Sequence, residues 1–128
     1  MKQTVLIVED EQDLREAMAD YLRDNSYRVL EAEDGQQGLQ MALSEHPDII
    51  LLDLMMPIMD GHQMLKKLRE DRWGMTAKVI IMSAMDDVKH IGSAYEGGIS
   101  EYIIKGEASL AELAKKVRET LFAETLNT

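Results

Sequence analysis

Three short, uninterrupted apolar runs constrain this chain most: Val5-Leu6-Ile7-Val8, Ile49-Ile50-Leu51-Leu52 and Val79-Ile80-Ile81-Met82. Each is brief, rich in β-branched residues and bounded by polar ones. A strand reads this way when both of its faces are covered, as in a parallel sheet. Two weaker runs, Tyr27 to Leu30 and Tyr102-Ile103-Ile104, bring the set to five. Helical patterns fill the intervals. Leu14, Met18, Tyr21 and Leu22 share one face after Glu11-Gln12-Asp13. Leu39, Ala42 and Leu43 mark a second helix, which should end before Pro47 because the residue preceding a proline avoids helical geometry. Met64, Leu65 and Leu68 mark a third, opening after Asp60-Gly61, and a weaker fourth runs from Asp87 to Glu96 and stops at Gly97-Gly98. The last is the plainest: Leu110, Leu113, Ala114, Val117 and Leu121 form one stripe, and Ser109 and Glu112 supply a capping-box pair at its start.

Strand and helix therefore alternate five times, which predicts an α/β fold with a doubly wound parallel sheet. Right-handed crossovers put every strand's carboxyl end on one edge, where ligands bind in this architecture. The 128 residues contain no repeat, low-complexity linker or composition break, so a single domain over residues 1–128 is expected.

The net charge of −10 argues against contact with nucleic acid or an anionic membrane surface. The absence of cysteine excludes disulfides and thiolate metal sites. Only four strongly apolar residues precede Glu9, too few for a signal peptide's apolar core, and no other stretch is apolar for long enough to span a bilayer. A cytoplasmic location is the expectation.

The residues ending the strands carry the chemistry. The first run leads into Glu9-Asp10-Glu11, the third ends in Asp53, the fourth in Ser83-Ala84 and the fifth in Lys105-Gly106. If the topology holds, at least three carboxylates, a hydroxyl and an ammonium converge. Gathered carboxylates repel one another unless a cation intervenes, and hard oxygen donors in a compact cluster suit Mg²⁺. A carboxylate is also a competent nucleophile towards phosphorus. A hydroxyl and an ammonium are suited to the spread charge of a transferring phosphoryl group. These residue types fit phosphoryl transfer to Asp53.

The chain resembles the receiver domain of two-component response regulators over about residues 3 to 123. The resemblance rests on Val8-Glu9-Asp10, on Asp53-Leu54-Met55-Met56-Pro57-Ile58-Met59-Asp60-Gly61, on Ser83-Ala84, on Tyr102 and on Lys105. It implies a five-stranded parallel sheet in the order 2-1-3-4-5 with five helices. By the same resemblance Asp53 is the phosphoacceptor, and Glu9, Asp10, Asp53 and the backbone carbonyl of Met55 hold Mg²⁺. Ser83 is then the family's hydroxyl, Lys105 its lysine and Tyr102 its aromatic switch. The implied partners are a sensor histidine kinase or phosphotransfer protein and a downstream protein or effector domain, with a phosphorylation-dependent dimer as a further option. The chain would catalyse only its own phosphorylation and dephosphorylation. One departure stands out: the family usually has proline after the lysine, often with a cis peptide, and Gly106 stands here. A cis bond to glycine costs about 3–4 kcal/mol, so either that peptide is trans or the site holds the strain.

Other functions fit less well. A nucleotide-binding enzyme needs a glycine-rich turn after the first strand, where this chain has Glu9-Asp10-Glu11. A haloacid-dehalogenase-type phosphatase needs a second aspartate two positions after its nucleophile, and Met55 stands there. An atypical receiver that only binds partners would not need the full set of Glu9, Asp10, Asp53, Ser83 and Lys105. His46, His62 and His90 make no metal-ligand spacing, and His46 reads as a dipole partner at a helix end. The ten methionines are mostly core filler. Met55 and Met85, by resemblance, overlook the approach of a hydrolytic water and should make loss of the phosphoryl group slow. Met55, Met56, Met59 and Met85 also form a possible adaptable partner surface.

Overall fold

The computed structural model describes residues 2–84 and 88–126. In chain order the elements are β1 (Thr4–Val8), α1 (Gln12–Asp24), β2 (Arg28–Ala32), α2 (Gly35–Glu45), β3 (Ile49–Asp53), α3 (Gly61–Glu70), β4 (Val79–Ser83), α4 (Val88–Glu96), β5 (Glu101–Ile104) and α5 (Leu110–Leu126), with one 3-10 turn at Gly74–Thr76. The strands form one sheet in the order β2-β1-β3-β4-β5, and every neighbouring pair is parallel.

The unbroken apolar runs exist because the sheet is covered on both sides. Val5 and Ile7 point into one core with Met18, Leu22, Val117 and Leu121, while Leu6 and Val8 point into the other with Met64 and Leu68. Every residue of β3 and β4 is buried. Period-two alternation is therefore lost in the sequence but kept in space, as successive side chains enter different cores.

Local chemistry sets the helix ends. Asp60 caps α3 in a full capping box with Gln63, and Asp34 caps α2 by accepting from the Gln37 amide at 2.8 Å. The capping box at α5 forms as its sequence predicts, with Glu112 N donating to Ser109 Oγ at 3.1 Å. The helix before Pro47 ends at Glu45, and His46 closes it in the left-handed region with φ 48°. The His46 ring also stacks on Trp73, centroids 4.4 Å apart and planes 8° from parallel, a packing role with no signature in the sequence. Two boundaries differ from the apolar pattern. β2 leaves out Tyr27 and continues through Glu31 to Ala32, which pair with Ile7 and Val8 of β1, and Arg15 and Arg23 meet the Glu31 carboxylate. The fourth helix starts at Val88, and Asp87 lies outside the described residues. Among the described residues no helix is long and apolar enough to cross a membrane.

Candidate functional site

The strand register brings the site together. Val8 pairs with Leu52, so Glu9 and Asp53 leave the ladder as neighbours from adjacent strands. Asp53 pairs with Met82 and Ser83 with Ile104, and the Lys105 amide donates to the Ser83 carbonyl at 2.8 Å. The ends of β1, β3, β4 and β5 thus step across one edge of the sheet. Glu9, Asp53 and Ser83 are buried there, and Asp10 is exposed at the mouth. One oxygen from each of Glu9, Asp10 and Asp53 lies within 4.8 Å of the others, a spacing that suits a shared cation.

Each carboxylate is held differently. Asp53 Oδ1 accepts from the Met55 amide at 3.2 Å, and Oδ2 lies 3.1 Å from Lys105 Nζ. Glu9 Oε2 accepts from the Glu11 amide at 3.2 Å. Glu9 Oε1 meets the Lys105 ammonium as an ion pair. Lys105 therefore serves both buried carboxylates at once. Burial pulls its pKa down, but the contact with Glu9 and the charge of Asp53 outweigh that effect and raise it, so the ammonium is retained. Asp10 moves up from the ordinary carboxylate range, chiefly through partial desolvation on its inner side and then through the Glu9 carboxyl beside it. Its own backbone hydrogen bond and Lys105 offset only part of that rise.

The loop after β3 is tightly specified. A Cβ at Gly61 would collide with the Asp53 carbonyl, so only glycine lets α3 start this close to the site. The Gly61 amide donates to the Leu54 carbonyl and the Gly35 amide to the Met59 carbonyl, both at 3.0 Å. Between these ties Met59 N donates to the Pro57 carbonyl at 2.8 Å across Ile58, whose φ is 69°. This is a γ-turn of the rarer, strained kind.

Beyond β5 the described residues contain no cis peptide bond, so Lys105–Gly106 is trans. Gly106 has φ 86°, a value closed to proline, and nothing lies within 4 Å of where its Cβ would be. Tyr102 is half-buried and packs against the core that contains Leu52 and Ile81. Met55 is 56% exposed at the rim, and Met85 lies outside the described residues. Arg15, not singled out by the sequence pattern, reaches the site from α1 and donates from Nη1 to the Glu9 carbonyl at 2.9 Å.

The family model for the response regulator receiver domain matches residues 5–118. The chain belongs to that family. It is a receiver domain of two-component response regulators, with relatives among transcriptional regulators. It is 38% identical over 117 residues to the transcriptional regulatory protein CiaR of Streptococcus pneumoniae, covering 91% of this chain and 50% of that protein. To the probable transcriptional regulator ycf27 of Porphyridium aerugineum it is 32% identical over 120 residues, covering 94% of this chain and 48% of that one. This receiver spans about half the length of the curated relatives it matches. Among solved structures, the receiver domain of a Francisella response regulator superposes with a TM-score of 0.88 at 27% identity, covering 96% of this chain and 99% of that one. A CheY-like receiver from Methanospirillum hungatei reaches 0.92 over the whole of both chains, and at 23% identity it speaks for the fold. The sheet order 2-1-3-4-5 and the five helices are those of that fold.

Proposed function

We propose that this receiver accepts a phosphoryl group on Asp53 from a histidine kinase or phosphotransfer protein, with Mg²⁺ bound, and signals through Ser83 and Tyr102. One observation carries this reading. The Asp53 carboxylate is buried at the end of the central strand, paired with the Lys105 ammonium and within ligand reach of Glu9 and Asp10.

In the transfer an Asp53 carboxylate oxygen forms the new bond to phosphorus. The bond from phosphorus to the donor's imidazole nitrogen breaks, and the donor keeps that electron pair. The Met55 amide and Lys105 hold Asp53 in place for the attack. Lys105 and the Ser83 hydroxyl then share the phosphoryl oxygens, whose charge is spread in the transition state. Glu9, Asp10, Asp53 and the Met55 carbonyl would hold the metal. The fit is supported by the all-oxygen donor set and by the spacing of the Glu9, Asp10 and Asp53 carboxylate oxygens, all within 4.8 Å of one another. When bound, Mg²⁺ offsets the negative charge that a phosphoryl group adds to three carboxylates.

Ser83 and Tyr102 connect the site to the α4–β5–α5 face, where a downstream partner, an effector domain or a second copy would bind. The chain acts on no substrate but its own aspartyl-phosphate, works in the cytoplasm beside its kinase, and makes no contact with nucleic acid through this domain. The test is incubation with acetyl phosphate and Mg²⁺, read by intact mass. One added phosphoryl group is expected, and none in Asp53→Asn. Labelling that persists in that variant would place the nucleophile elsewhere.

A further inference from the structure

We infer that Arg15 is a positioning residue for the acidic pocket, holding the turn that carries Glu9 and Asp10 in the geometry a divalent cation needs. The inference rests on the metal reading above and adds to it a side chain from outside the ligand set. Glu9 N donates to the Ala32 carbonyl at 3.0 Å and is the last link of that turn to β2. Asp10 follows, and the N-cap of α1, Glu11, makes no side-chain cap. Within the turn the Glu11 amide donates to Glu9 Oε2 at 3.2 Å, a bond that holds the Glu9 side chain and leaves the Glu9 carbonyl to a partner from outside.

Arg15 is that partner. Its Nη1 donates to the Glu9 carbonyl at 2.9 Å, while its Nε pairs with Glu31 Oε1 at 3.3 Å. The side chain is only 13% exposed. Glu31 is fixed in turn, since its second oxygen lies 3.2 Å from Arg23 Nη2, which also donates to the Val29 carbonyl at 3.3 Å. A line of charge-assisted contacts therefore runs from β2 at the sheet edge through Glu31 and Arg15 to the backbone of the acidic pair. Arg15 meets the carboxylate and the backbone carbonyl from two nitrogens of one rigid, planar fork, whereas a lysine ammonium has to serve both from a single atom on a flexible stem.

The sign of the effect separates positioning from charge. Removing a cation near the pocket makes it more negative, so charge alone would tighten Mg²⁺ binding in Arg15→Ala. Positioning predicts the opposite. Supporting residues behind metal ligands are typically worth 10- to 100-fold in affinity, and about a tenfold weakening is expected at this partly exposed site.

The experiment is calorimetric titration of Mg²⁺ into the full chain and into Arg15→Ala, Arg15→Lys and Glu31→Gln, with affinity referred to the folded fraction from thermal melts. The expected result is a Kd about tenfold higher in Arg15→Ala, not restored in Arg15→Lys, and intermediate in Glu31→Gln. Should Arg15→Ala fail to fold, Arg15→Lys decides, because it keeps the charge and alters only the geometry. An unchanged or lower Kd in the variants overturns the proposal while leaving the metal reading intact. If the unaltered protein takes up no Mg²⁺, the metal reading fails instead. Arg15 is then judged by amide exchange at Asp10 and Glu11 in the metal-free chain, which must quicken in Arg15→Ala or the positioning role is wrong.

Discussion

Ile58 sits in the left-handed region with φ 69°, exposes 76% of its surface, and carries a β-branched side chain where glycine or asparagine is usual. Its environment asks nothing of its bulk, since the loop is held by its neighbours' backbone bonds. Ile58→Gly should therefore stabilise the chain. The strain relieved is of order 1–3 kcal/mol and the added unfolded-state entropy about 1, so a gain of about 1 kcal/mol is expected by urea titration. A loss would mean that the isoleucine side chain makes a contact worth more than the strain. At Asp10 the prediction follows from the sign of the pKa shift. Its folded pKa lies above the unfolded one, so the ionised carboxylate opposes folding at neutral pH and the opposition fades as pH falls through the folded value. Asp10→Asn should raise the melting temperature of the Mg²⁺-free protein at pH 7 by about 2 °C, the advantage shrinking towards pH 4. Equal melting of variant and parent at both pH values would show that the partial desolvation of Asp10, with the Glu9 carboxyl beside it, costs nothing.

At the scale of elements, Arg69 stands out. From α3 it donates to four backbone carbonyls: Gly97 at 3.0 Å, Gly98 at 2.6 Å, Gly74 at 2.7 Å and Ala77 at 2.8 Å. It thereby ties the segments leading into β4 and β5 to the end of α3, and burial lowers its pKa. Arg69→Ala strands those carbonyls and should cost about 2–4 kcal/mol, with Arg69→Lys recovering only part because an ammonium cannot span both segments. Chemical denaturation measures both, and near-equal stability of the alanine variant and the parent would refute the tie. Arg15 and Arg69 share a design. Each is a helix arginine that reaches backbone carbonyls outside its own helix, Arg15 from α1 on one face of the sheet and Arg69 from α3 on the other.

For the molecule as a whole, the proposed function requires that one event at Asp53 be felt at a distant face. Ser83 is fully buried beside the site, and Tyr102 packs on the core two residues before the end of its strand. A phosphoryl group that draws Ser83 inward gives two packings with different contacts, which is what a population shift needs. A structure with beryllofluoride and Mg²⁺ should show Ser83 displaced towards the analogue and Tyr102 less exposed than in the present half-buried state. Two unchanged side chains would leave signalling without this route. The signal should also last. Hydrolysis needs an oriented water, and Met55 offers that water only a thioether. Decay over minutes or longer is expected after the donor is removed, quickened roughly tenfold in Met55→Asn, below the 10² of a well-placed base. Decay within seconds in the unaltered chain would sink this reading.

The sequence by itself determined the sheet, because burial on both faces demands uninterrupted apolar runs and these are local: Val5 to Val8, Ile49 to Leu52 and Val79 to Met82 are strands as they stand. It determined the start of α5 as well, since Ser109 and Glu112 meet within one turn. The strand-end residues Glu9, Asp53, Ser83 and Lys105 were legible because parallel topology carries every carboxyl end to the same edge. Only the tertiary structure decided what depends on partners far apart in the chain. The extent of β2 through Glu31 depends on its pairing with Ile7 of β1, with Arg15 and Arg23 meeting the carboxylate, and the positive φ of Gly106 on the course of the loop after β5. The roles of Arg15 and Arg69 depend on backbone carbonyls, which every residue possesses and no sequence pattern marks. Apolar periodicity reports the burial of a single element, whereas a directed hydrogen bond exists only once two elements have been placed.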